Sequence, residues 1–195
     1  GLTFGAGLRS VLRQDPDVMM VGEIRDADTA SMSVQASLTG HLVFSTLHTN
    51  DAASAVTRLL DLGLEPYLVS SSLITVLAQR LVRKICSNCV VVDTATETRS
   101  MLHRFGVQSE NGEPKKGQGC DDCRGTGFRG RLGIFEMLVV DEQIRQLIQE
   151  RANAAQIRDA AIQTGMTLLR EDGLGKVRQG QTTIQESARV ASGLD

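Results

Sequence analysis

The sequence predicts an α/β protein: a parallel sheet with flanking helices, then a small four-cysteine module, then a helical C-terminal region. Three observations lead there. Short apolar runs at Val18–Val21 and Leu42–Phe44 alternate with segments of helical spacing, and that order with short links builds βαβ crossovers. All four cysteines lie in residues 84–133, in two Cys-x₂-Cys pairs. From Ile134 the pattern returns to regular elements, with helices from Asp141 onward that carry capping residues at their starts. The divisions drawn on this basis are 1–83, 84–133 and 134–195.

The chain has 195 residues, a formal net charge of −2, 3% aromatic residues and no Trp. A chain of this size buries roughly 70% of its unfolded surface, enough for a real core. The charge argues against coating nucleic acid, and the scarcity of aromatics argues against a base-stacking platform. No apolar run approaches the roughly 18 residues of a membrane span. The opening Gly1-Leu2-Thr3-Phe4 has no charged n-region or apolar h-region, so it does not read as a signal peptide and looks like the middle of a chain.

Leu8, Val11 and Leu12 predict a helix over 7–14. The turn Asp15-Pro16-Asp17 then feeds Val18–Val21, read as a buried parallel strand covered on both faces. Asp26 and Asp28 can cap a helix running to about Leu38, with Thr39-Gly40 at its end. Leu42-Val43-Phe44 is the second strand. Thr49, Asn50 or Asp51 caps a helix bearing Val56, Leu59 and Leu60, which Gly63 stops. Pro66 starts another helix, expected to reach Leu81. Beyond the cysteines, Asp141 caps a helix with Ile144, Leu147 and Ile148 on one stripe. Ile157, Ala160 and Ala161 mark a second helix ending at Gly165, and Leu168 through Val190 reads as two short ones.

The strand at Val18–Val21 stops at Gly22 and presents Glu23, Arg25 and Asp26. Open α/β sheets bind ligands just past the carboxyl ends of their strands. A carboxylate there is what a nucleotide-hydrolysing site needs to hold Mg²⁺ or orient a water; the alternative is a strand ending in a solvated charged turn. His48, with Thr46, Thr49 and Asn50, falls at the same edge if the two strands are adjacent and parallel. It could bond a phosphate oxygen, or be satisfied by turn carbonyls. His41 lies at the opposite end and is the weaker candidate.

Cys86-x₂-Cys89 and Cys120-x₂-Cys123, with 30 residues between the pairs, carry the spacing of a closed structural zinc site, with two local disulfides or four free cysteines as alternatives. Structural Zn²⁺ supplies about 10–16 kcal/mol of apparent binding energy in small peptides, enough to hold a loop-rich segment with little core. His103, between the pairs, reads as a surface loop residue.

The runs Leu12–Asp26 and Thr39–Asp51, the text Val76-Leu77-Ala78-Gln79-Arg80-Leu81-Val82-Arg83 before Cys86, and Gly130-Arg131-Leu132-Gly133-Ile134-Phe135-Glu136 together resemble the type II secretion and type IV pilus assembly ATPases over essentially the whole chain. The resemblance implies a partial RecA-like core in residues 1–83 and a homo-hexameric ring. Such a ring hydrolyses ATP to add pilin-like subunits, on the cytoplasmic face of the inner membrane through platform proteins, with no nucleic-acid partner. It makes Leu12–Asp26 the Walker B element, with Glu23 acting on Mg²⁺ and water. Thr39–Asp51 becomes the histidine box, with His48 near the γ-phosphate. It places Arg9, Arg13, Arg25, Arg58 and Arg131 near the nucleotide or at subunit contacts, where an arginine supplied across an interface is worth about 10³–10⁵ in rate. The cysteine pairs resemble the zinc-bearing secretion and pilus-extension branches. Ser70-Ser71-Ser72-Leu73 before Val76–Val82 leans toward the secretion branch.

The sequence departs from the family: the 195 residues hold no Gly-x₄-Gly-Lys-[Ser/Thr] phosphate loop, and the family's upstream acidic box and N-terminal recruitment domains are not among them either. The expectation is therefore a carboxyl-terminal piece of a motor ATPase, inactive alone. The rival readings are a non-enzymatic zinc-bearing interaction module and a nucleic-acid-binding zinc ribbon using Lys115, Lys116, Arg124, Arg129 and Arg131.

Overall fold

The computed structural model describes residue 7 and residues 10–107 and 113–191; Arg9 lies outside them. In chain order the elements are β1 (Val18–Val21), α1 (Ala27–Leu38), β2 (Leu42–Ser45), α2 (Ala52–Asp61), α3 (Pro66–Ser72), β3 (Thr75–Ile85), β4 (Val90–Val92), α4 (Thr96–Arg104), β5 (Lys115–Gly117), a 3₁₀ turn (Asp121–Cys123), β6 (Phe128–Val139), α5 (Glu142–Gln149), α6 (Ala154–Gln163), α7 (Leu169–Arg178) and α8 (Ile184–Ala191). They divide into two compact units, Gly1–Val76 with Met137–Met166, and Leu77–Glu136 with Thr167–Asp195.

In the first unit, β1 and β2 pair in parallel, Val18 opposite Leu42 and Val21 opposite Ser45, as the strand–helix–strand pattern predicts. Asp26 caps α1 by accepting the Thr29 N–H at 2.8 Å. Asp51 caps α2 by accepting the Ser54 N–H at 2.7 Å. Asp51 also accepts a bond from Arg158 Nη2 at 2.8 Å, which ties α2 to α6. Asp141 and Asn153 cap α5 and α6 in the same way. Ile144 and Ile148 of α5 are fully buried, as their stripe requires.

Two expectations fail in this unit. The sheet is not covered on both faces. Met19 and Val21 are buried with Met32 and Ala36 of α1, whereas Val18 (57%), Met20 (74%), Leu42 (43%) and Phe44 (55%) are exposed. Side chains alternate along a strand, so α1 covers one face only. The second failure is the helix from Pro66, which stops at Ser72 instead of Leu81. The Ser71 and Ser72 hydroxyls bond back to the Tyr67 and Leu68 carbonyls, each at 2.7 Å. Leu73 is already extended, at φ −80 and ψ 123. Thr75–Ile85 is β3, rich in β-branched residues that pack well on a pleated surface. Its partner is β6, too far along the sequence for local spacing to reveal. The Val140 N–H donates to Ile74 O and the Cys86 N–H to Gly127 O, both at 3.0 Å, so the two strands run antiparallel.

In the second unit Val82, Ile134 and Leu169 form a buried cluster with Ala78, Leu132 and Val190 packed on it. The stretch 84–133 is more regular than a metal-held loop: β4 and β5 pair antiparallel, α4 lies between them, and β6 begins at Phe128, ahead of the expected Ile134. His103 accordingly sits in the last turn of α4, not in a loop. Only the end of α4 is apolar, and its Leu102 packs on Leu174, Val177 and Ile184. Those partners lie far downstream, so the helix has little amphipathic signature of its own.

Glu186 of α8 is 2% exposed and accepts bonds from the Arg83 N–H at 3.1 Å, Arg83 Nη2 at 2.6 Å, and Arg189 Nε and Nη2 at 3.2 Å. The Arg83 bond, aided by Arg189, holds its carboxyl down to about 2 from an ordinary 4.5. A depressed carboxyl contributes stability that is complete above pH 4.5 and lost as pH falls toward 2, about 3 kcal/mol for a shift of this size. Glu186→Gln leaves Arg83 underpaired. Arg83 and Arg189 are more than half exposed and can turn to water, so the expected cost is about 2–3 kcal/mol at neutral pH, with a flatter loss of stability between about pH 5 and 2, read from urea midpoints across that range.

Candidate functional site

Glu23 follows β1 by two residues and His48 follows β2 by three, so the parallel pairing brings both to one edge. His48 Nε2 lies 2.7 Å from Glu23 Oε2. Arg25 Nη2 pairs with the other carboxylate oxygen, Oε1. The His48 bond, then the Arg25 bond, lowers the Glu23 carboxyl below its ordinary value. The group is therefore an anion at neutral pH, and the imidazole nitrogen facing it is the one carrying a proton. The three side chains expected to act together do meet. Their half-exposed carboxylate, protonated imidazole nitrogen and exposed guanidinium form a polar cluster at the carboxyl ends of two parallel strands, where such sheets hold ligands.

His41 lies at the other end of β2, with Nδ1 3.0 Å from Ala36 O and 3.1 Å from Thr39 Oγ1. Arg13 lies in the turn before β1 and Arg58 in the last turn of α2; both are exposed. Arg131 is exposed on β6, in the second unit. None of these three makes an ion pair with another described residue. Arg9 is outside the described residues, so the structure tests no role for it.

The four cysteines converge. All four are free thiols, and their sulfurs lie within 4.8 Å of one another. Cys86–Cys120 and Cys89–Cys123 are 3.9 Å apart and Cys120–Cys123 is 3.7 Å. Sulfurs about 2.3 Å from a tetrahedral ion stand about 3.8 Å apart, so the cluster fits a tetrathiolate metal site. Backbone N–H groups already point at the sulfurs: Gly119 at Cys89 (3.3 Å), and Cys120 (3.1 Å) and Gly127 (3.2 Å) at Cys123. The Cys120 N–H, helped by Gly127, lowers the Cys123 thiol to about 6, while burial pushes Cys89 up to about 11.

The sequence reading missed these amide donors, and with them the glycines that make room for them. A Cβ on Gly117 would lie 2.0 Å from Gly127 O, and one on Gly119, at φ +98, would lie 2.7 Å from Gly125 O. The two backbone arms that enter and leave the second knuckle cross where no side chain fits. Glycines repeated beside the second cysteine pair were the available signal.

The family model for type II/IV secretion system proteins matches residues 1–189. The chain belongs to that family. It is 51% identical over 187 residues to the type IV pilus assembly ATPase PilB of Thermus thermophilus, covering 95% of this chain and 21% of that protein. It is likewise 51% identical over 192 residues to the type II secretion system ATPase E of Vibrio cholerae, covering 97% of this chain and 37% of that protein. Among solved structures it is similar to the pilus retraction motor PilT with bound ADP, at 26% identity and a TM-score of 0.66 over 96% of this chain and 43% of that one. The fold is also that of the Legionella pneumophila ATPase DotB, at 24% identity and a TM-score of 0.65 over 98% of this chain and 42% of that one. The chain thus spans between about a fifth and two fifths of the curated relatives' lengths. No described helix is long and apolar enough to cross a membrane.

Proposed function

We propose that the chain is the carboxyl-terminal part of a hexameric motor ATPase that hydrolyses ATP to drive pilin-like subunit assembly, with Glu23, His48 and Arg25 as its catalytic residues. The observation that carries this reading is the Glu23–His48 contact of 2.7 Å at the carboxyl edge of two parallel strands. In it, Glu23 would help hold Mg²⁺ or orient the attacking water, and His48 would bond the terminal phosphate. Both carboxylate oxygens of Glu23 are engaged here, by His48 and Arg25. The carboxylate becomes available when an anionic phosphate draws those two cationic or protonated partners away. Mg²⁺ bound with the nucleotide would neutralise charge on the phosphates, with Glu23 the residue placed to serve it.

In this reading residues 1–83 are half of a RecA-like core, 84–133 a zinc module and 134–195 a helical region. The uncovered face of β1 and β2 agrees with a further layer packing on it in the complete protein. The Cys₄ cluster holds structural Zn²⁺, since thiolates in a closed tetrahedral set favour that ion. Arg9, Arg13, Arg58 and Arg131 serve the nucleotide or the contacts between subunits. The machine stands on the cytoplasmic side of the inner membrane, held by platform proteins. Type II secretion is the role we favour. Pilus extension is the second reading, supported by the equal identity to the Thermus protein. The test is ATP turnover by the complete protein carrying Glu23→Gln.

A further inference from the structure

We propose that Thr46 is a positioning residue for Glu23, holding the backbone on both sides of it. The last pair of the β1–β2 ladder is Val21 with Ser45, so Thr46 and Gly22 are the first residues beyond it. There Thr46 makes two bonds. Its hydroxyl donates to Gly22 O at 2.7 Å, and its carbonyl accepts the Ile24 N–H at 2.9 Å. Gly22 and Ile24 are the two neighbours of Glu23. One residue of β2's extension therefore grips the residue before and the residue after the carboxylate. Ile24 is buried at 9% exposure and anchors the far side.

The consequence is local. Past a ladder's end the chain is free to splay, and Gly22 has no side chain to resist it; a Cβ there would meet nothing within 4 Å. The hydroxyl bond closes that gap. It sets where the Glu23 Cα stands relative to His48, which is two residues beyond Thr46 in the segment that leaves β2. The carbonyl bond belongs to any residue at position 46, but the hydroxyl bond needs Thr or Ser. The position is solvent-exposed, so the side chain is not there to fill the core.

The inference rests on Glu23 acting in turnover as proposed above. Its test compares Thr46→Val, Thr46→Ser and Glu23→Gln in the complete ATPase, by steady-state phosphate release and nucleotide affinity. Valine keeps the strand-forming shape and the carbonyl bond and replaces the hydroxyl with a methyl group that cannot donate. Displacing a reacting group by about 1 Å costs up to about 10²-fold. Thr46→Val is thus expected to lower kcat about 10–100-fold with KM within about twofold, and Thr46→Ser to restore kcat to within about threefold of wild type. If the valine variant melts below the assay temperature, Thr46→Ala, which cannot overpack, carries the same comparison. Wild-type kcat in Thr46→Val beside an inactive Glu23→Gln overturns the positioning role and leaves the catalytic reading standing. So does a serine variant as slow as the valine one, or a change confined to KM. Wild-type turnover in Glu23→Gln removes the catalytic reading itself.

Discussion

In the complete protein, Glu23→Gln lowers ATP turnover by about 10²–10⁴-fold, the range a positioned acid–base group contributes, while nucleotide affinity stays within a few-fold. The substitution is nearly isosteric. The amide oxygen can still accept from His48, so the edge of the sheet keeps its shape. What disappears is the negative charge, held ionised by His48 and Arg25, that would orient water or a hydrated Mg²⁺. Phosphate release under saturating ATP measures the loss, and titration with a fluorescent nucleotide measures the retained binding. Turnover at the wild-type rate would remove Glu23 from the mechanism and favour a zinc-bearing interaction module. Loss of binding in parallel with turnover would point to a structural role. His48→Gln in the same assay separates the two partners, because it removes the titratable imidazole and leaves the carboxylate.

Cys86→Ser releases the bound metal and unfolds the segment around the four sulfurs. Cys86 is fully buried, and its N–H donates to Gly127 O at 3.0 Å, so its sulfur stands where the start of the module meets the strand leaving it. Losing one of four thiolates weakens a closed Cys₄ set steeply, and the apparent binding energy of about 10–16 kcal/mol in small zinc peptides is as large as the net stability of a whole domain, about 5–15 kcal/mol. Metal analysis should fall from one equivalent to near zero. Proteolysis should then cut within 84–133 while the β1–α1–β2 segment stays protected. A strong chelator should reproduce both results in the unsubstituted protein. Unchanged metal content in Cys86→Ser would refute the tetrathiolate site. One equivalent of metal lost with no change in proteolysis would make the ion a passenger and not a staple.

Cysteine and glutamate sites differ in how much of them is local. Cys-x₂-Cys is a turn that aims two sulfurs at one point whatever surrounds it, and two such turns leave little freedom for the ion. The sulfur separations of 3.7–3.9 Å accord with that spacing. Glu23 and His48 were legible because each follows a short apolar run closed by turn chemistry, and because parallel pairing of adjacent runs puts both ends on one side. The Gly119, Cys120 and Gly127 amides aimed at sulfur were not legible, since a backbone donor leaves no mark on residue identity.

The strand β3 shows where local reading ends. Thr75–Ile85 follows a genuine helix start at Pro66 and carries apolar residues compatible with either period. The sequence alone determined the family motifs, the two parallel strands, the cap at Asp141 and the short runs holding those of α1 and α2, and the cysteine set, because each is encoded within a few neighbouring residues; the structure chose Asp26 and Asp51. Only the tertiary structure decided that β3 is extended, that α4 forms among the cysteines, that one face of β1–β2 is bare, and that Glu186 is buried under Arg83. Each depends on a partner far away in the chain. Strand pairing and burial are satisfied by whichever segment arrives, and short-range periodicity contains no record of which one does.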